Sequence, residues 1–150
     1  MPILETIDND LRQAMKARDA LRTSVIRMMK ASLKNREIEK GSTLSDEDVL
    51  SVLSSLSKQR RESIEQFRNA GRADLAAKEE EEFALIQTYL PRQLSPDELD
   101  VLIVAAIRES GASGPGDLGR VMQVLMPKIK GLADGKIVNQ KVRDLLNPQQ

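Results

Sequence analysis

The residues best able to do chemistry in this chain lie between Asp117 and Leu146. Arg120, Lys128, Lys130, Lys136, Lys141 and Arg143 are opposed there only by Asp117, Asp134 and Asp144, so the stretch is locally basic. Clustered cations of this kind grip phosphates and release their counterions. A helix expected to start at Gly135 adds partial positive charge at its N-terminus. These six residues are the candidate nucleic-acid-binding set. The only aromatics, Phe67, Phe83 and Tyr89, lie outside the stretch. Stacking on single-stranded bases is therefore disfavoured, which leaves recognition of a folded RNA by shape and backbone.

The catalytic inventory is thin. The chain has no His and no Cys, which removes the commonest general base, the thiol nucleophile, thiolate metal ligands and disulfides. A nucleophilic serine would need a Lys or carboxylate arrangement that no local motif announces. No catalytic residue, metal site or cofactor is assigned. Glu79-Glu80-Glu81-Glu82 occupies four consecutive helical positions, which point around the cylinder and read as a solvated face. Lys58-Gln59-Arg60-Arg61-Glu62 can meet phosphate, but surface pairing with Glu62 and Glu65 is the stronger reading. Gly114-Pro115-Gly116 lacks the Lys-Ser/Thr of a phosphate loop and is a connector.

The elements that must position these residues are helical throughout. Nowhere do β-branched or aromatic residues alternate with period two over a strand length. The expected fold is all-α, with an N-terminal domain of about four helices over residues 1–90 and a small three-helix domain over 95–150. The first helix runs from about Ile3 to Arg18. The second, capped by Asp19 and stopped by Gly41, buries Leu21, Val25, Met28, Met29 and Leu33. The third starts at the near capping box Ser45-Asp46-Glu47-Asp48 and ends at Ala70-Gly71. The fourth continues from Arg72 to about Tyr89. Leu90-Pro91 marks the junction, because proline disfavours helix in the residue before it. Ser95-Pro96-Asp97-Glu98 opens the next helix with a cap, a proline at the first position and a reciprocal glutamate. Leu118, Val121, Met122, Leu125 and Met126 then form a helix that must end or kink at Pro127. Gly131 and Asp134 close it and cap the last one, which carries Ile137, Val138, Val142, Leu145 and Leu146.

At 150 residues with 40% hydrophobic content, the chain suits one domain or two small ones. Lys plus Arg and Asp plus Glu are both 23, so no global charge points to nucleic acid or membrane. The second basic region, Leu11 to Lys40, carries nine cations against Asp19, Glu37 and Glu39. No run approaches the roughly 18 apolar residues of a membrane span, and MPILETIDND lacks the regions of a signal peptide. A cytoplasmic protein without membrane contact is expected.

Several segments resemble the YqeY proteins: Arg27-Met28-Met29-Lys30-Ala31, Lys34 to Lys40, Lys58 to Gln66, Ala70-Gly71-Arg72, Tyr89-Leu90-Pro91 and Gln93-Leu94-Ser95. Gly119 to Lys136 is similar both to that family and to the tail domain of the B subunit of glutamyl/aspartyl-tRNA amidotransferase, notably at Lys130-Gly131, Ala133-Asp134, Lys136, Val138 and Asn139. Leu132 and Gln123 depart from the pattern, where a basic residue and a glycine are usual. The resemblance implies a two-part helical fold, association with tRNA, and by family a glutamine-dependent carbon–nitrogen ligase activity. Nothing in the chain resembles an amidase Ser/Lys site or a nucleotide site.

The leading expectation is thus a non-catalytic module that binds tRNA or a tRNA-bearing complex through its basic C-terminal helices. One alternative is a protein-interaction adaptor that holds a partner helix in Met-containing grooves. The other is a component of the glutamine-dependent ligase activity.

Overall fold

A computed structural model describes residues 2–147 and is all-helical, with seven α-helices and no strand among the described residues. The helices are α1 (Ile3–Lys16), α2 (Ala20–Lys40), α3 (Asp46–Asn69), α4 (Ala73–Gln87), α5 (Pro96–Ser110), α6 (Leu118–Ile129) and α7 (Gly135–Leu146), with a 3₁₀ turn at Pro115–Asp117. Contacts divide the chain into two compact units between Pro91 and Arg92. In the first, α3 and α4 pack as a hairpin, and α1, α2, α3 and α4 close on Ile7, Val25, Ile26, Met29, Leu53 and Ile86. In the second, α5, α6 and α7 close on Leu99, Ile103, Val121, Leu125, Ile129, Val138 and Val142.

The helix ends follow from residues a few positions apart. Ser45 accepts from the amide of Asp48 at 3.1 Å, and Asp48 accepts from the amide of Ser45 at 3.0 Å. Ser95 and Glu98 repeat this box at α5, with distances of 3.2 and 3.1 Å. Each box satisfies two amides that the first helical turn leaves without an intrahelical partner. Gly41 and Gly111 close α2 and α5 at φ of 77° and 71°, a conformation that costs an L side chain energy.

One local expectation is narrowed and one corrected. Of the two outcomes expected at Pro127, an end to the helix does not occur: α6 runs through Pro127 to Ile129, with the Lys130 amide bonded to the Met126 carbonyl at 3.0 Å. Ile129, which is 1% exposed, gains core burial from that extra part-turn, and this offsets the bond lost at Gln123. Leu21 is exposed, and the unanticipated Ile26 is fully buried in its place, because α1 and α3 cover a different arc of α2 than the apolar count implied.

Both capping carboxylates also meet a cation. The Lys40 ammonium, then the Ser45 amide and hydroxyl, hold Asp48 at about 2, against an ordinary 3.8. The Arg92 guanidinium, then Ser95, holds Glu98 at about 2, against 4.5. A carboxyl whose folded pKa is depressed adds stability that is present above the unfolded value and lost as pH falls through the folded one. Thermal midpoints should therefore decline between about pH 4.5 and 2. Asp48→Asn and Glu98→Gln should flatten that decline, which melts followed by circular dichroism across the window will show.

Candidate functional site

Of the six cations of the C-terminal stretch, three are held by neighbouring acids. Arg120 pairs with Asp117 at 3.3 Å, Lys128 with Glu109 at 2.8 Å and Lys141 with Asp100 at 2.9 Å. Half the set is thus compensated by neighbouring acids. On α7, Lys136 and Arg143 are two turns apart and share an exposed face. Lys141 is two residues from Arg143 and so lies about 200° round the helix from it. Lys130 stands just past the end of α6, beside Gly131 at φ 78°. The turn made there has a structural use: the Gly131 carbonyl accepts from the Gln93 side-chain amide at 3.0 Å, and the Leu132 carbonyl from the Leu94 amide at 2.8 Å. Two sequence motifs far apart in the chain, Gln93-Leu94 and Lys130-Gly131, therefore meet to fasten the lead into α5.

What gathers around Lys141 is apolar instead. Ile137 and Leu145 lie one turn to either side of it on α7, 44% and 52% exposed. Its partner Asp100 adjoins Val101 and precedes Val104 by one turn on α5, and these valines are 69% and 41% exposed. Four of the eight exposed large apolar side chains among the described residues therefore lie within a turn of one end of a single ion pair. The sequence signal was present but ambiguous. Ile137-Val138 and Leu145-Leu146 are apolar doublets, and a helix with one covered face can bury only one member of each. Val138 and Leu146 are the buried ones.

In the N-terminal unit, the acidic run is not a uniformly solvated face. Glu79 and Glu82 both reach the Arg60 Nε, at 3.3 and 2.9 Å, with side chains only 16–22% exposed. Arg60 also donates to the Met28 sulfur at 3.5 Å. Nearby, Gln87 donates to the buried Ser57 hydroxyl. Tyr89 donates to Asp10, and burial first, then that bond, push its phenol up from the ordinary value, with Arg22 opposing. These polar contacts join α1, α2, α3 and α4. No group of three or more His, Cys, Asp or Glu able to hold a metal occurs among the described residues, and no described helix is long and apolar enough to cross a membrane.

Comparison with known proteins places this architecture. The family described as Yqey-like protein matches residues 4–146. A relative from Vanderwaltozyma polyspora, altered inheritance of mitochondria protein 41, mitochondrial, is 43% identical over 100 residues, 65% of this chain and 54% of its own length. Its namesake from Pyrenophora tritici-repentis is 30% identical over 148 residues, 96% and 81% of the two chains. The Saccharomyces cerevisiae one (strain YJM789) is 35% identical over 96 residues, 63% and 52%. The chain thus spans about half the length of two of these relatives.

Two expectations fall with these findings. The relatives are named for mitochondrial inheritance and not as amidotransferase components, so tRNA binding and the glutamine-dependent carbon–nitrogen ligase role are not retained. The physical counterpart is the pairing of Arg120, Lys128 and Lys141 with acids, which takes half of the six cations. The cytoplasmic setting is corrected as well, since the relatives are named as mitochondrial.

Proposed function

The chain belongs to the Yqey-like family, and from that premise we propose that it is a helical binding module whose C-terminal unit docks a protein partner on the apolar surface around Asp100–Lys141. The two contact units are taken as separate domains, the second starting at Arg92. The observation that carries the reading is the exposure of Val101, Val104, Ile137 and Leu145 about one ion pair. Large apolar side chains held in water with a polar group among them are typical of a contact surface. A partner helix with apolar residues at three- and four-residue spacing would cover them. None of Val101, Val104, Ile137 and Leu145 belongs to the buried cluster beneath, so the surface can be altered without unfolding the unit.

The test is quantitative capture from a mitochondrial extract, chosen for the relatives' setting, with wild type and Ile137→Glu/Leu145→Glu. Specific partners should fall by about tenfold or more, since two buried apolar contacts become desolvated charges. The thermal midpoint should stay within a few degrees. Partners held equally by both proteins would remove this surface from the function.

A further inference from the structure

The N-terminal unit has a surface cavity of about 560 Å³ at the corner where α1 meets α2, lined by Met15, Arg18, Asp19, Ala20, Thr23, Ser24 and Arg27. Its two guanidiniums are among the cations of the Leu11–Lys40 region that have no carboxylate partner among the described residues. Elsewhere in the basic Leu11–Lys40 region, Lys30 is tied to Asp8 at 2.7 Å, Arg36 to Glu39 at 3.5 Å and Lys40 to Asp48. Neither Arg18 nor Arg27 pairs with a carboxylate among the described residues. Arg27 spends one N–H on the Met15 sulfur, at 3.9 Å, a weak acceptor that orients the guanidinium without neutralising it. The one acid in the lining, Asp19, has an oxygen on the Arg22 amide at 3.0 Å, where it caps α2. The cavity therefore holds two guanidiniums against one occupied carboxylate, together with the hydroxyls of Thr23 and Ser24.

We propose that this corner binds the phosphate of a small phosphomonoester. The donor set decides the class. Two planar guanidiniums and two hydroxyls offer more donors than the two oxygens of a carboxylate can use, whereas three terminal phosphate oxygens can accept from all of them. A dianion also gains more than a monoanion from the local excess of one positive charge. The volume fits a small molecule, and the half-exposed Met15 and Ala20 supply an apolar wall for the rest of it. The site lies in the first unit and uses none of the surface proposed for the partner.

The test follows backbone amide NMR shifts of the whole chain during titration with inorganic phosphate, glycerol 3-phosphate and acetate at constant ionic strength. Saturable shifts confined to residues 15–27 are expected with both phosphates, and weaker ones with acetate. Arg18→Gln/Arg27→Gln should weaken phosphate binding by about tenfold or more with an unchanged thermal midpoint, since both side chains are exposed. Arg27→Lys, which keeps the charge and loses the fork, should give an intermediate loss. Absence of saturation, acetate binding as tightly as phosphate, or a double variant that binds like wild type would each overturn the proposal. Glycerol 3-phosphate binding more tightly than inorganic phosphate would support an organic ligand, with the apolar wall in contact.

Discussion

Leu125→Ala is expected to strip the C-terminal unit of most of its stability and leave that of the N-terminal unit unchanged. Leu125 is 0% exposed and lies in a core cluster of only nine buried residues. Truncating a fully buried leucine costs about 3 kcal/mol, from lost transfer energy plus the cavity left behind. A unit this small has a total stability at the low end of the usual range of roughly 5–15 kcal/mol, so that one loss removes most of it. Amide hydrogen exchange should show protection collapsing across α5, α6 and α7, while α1, α2, α3 and α4 keep theirs. Leu125→Met, which conserves volume, should cost less than about 1.5 kcal/mol. Uniform loss of protection along the whole chain would show that the two units fold as one, and would sink their separation into domains.

The second large effect belongs to Arg60. Glu79 and Glu82 converge on it, and all three side chains are about four-fifths buried. Arg60→Met removes that charge and leaves two carboxylates facing each other between α3 and α4. Breaking a buried pair costs roughly 3–5 kcal/mol, and the remaining exposure brings the expected loss down to about 2 kcal/mol. The decisive measurement is the rescue. Arg60→Met combined with Glu79→Gln and Glu82→Gln should recover most of the urea midpoint, because the repulsion disappears with the charges. If the triple variant stays as unstable as the single one, the loss comes from packing around Met28, and the ion triad contributes nothing measurable.

These two expectations differ in how much of them could be read from the chain. Leu125 was placed in a core stripe by its spacing from Leu118 and Val121, since period 3.6 alone sets which residues share a helix face. For Arg60 the sequence offers only the near acids Glu62 and Glu65, and so implies a surface pair. Its actual partners are 19 and 22 residues away on the other arm of a hairpin. The same limit explains the corner cavity. Asp19 is legible as a cap from its position before α2. That Arg18 and Arg27 remain without a carboxylate while Lys30 and Lys40 find one depends on what α1 and α3 bring near.

The sequence by itself determined the all-helical class, the capping boxes at Ser45 and Ser95, the glycine stops and the family, because each rests on residues within one helical turn or on a linear motif. Tertiary structure alone decided the electrostatics and the surface. It paired Lys128 and Lys141 with acids on another helix, converged two glutamates on Arg60 and chose which member of Ile137-Val138 and Leu145-Leu146 faces water. The physical reason is range: backbone hydrogen bonding is settled within about four residues, whereas ion pairing and burial depend on which helix is packed alongside.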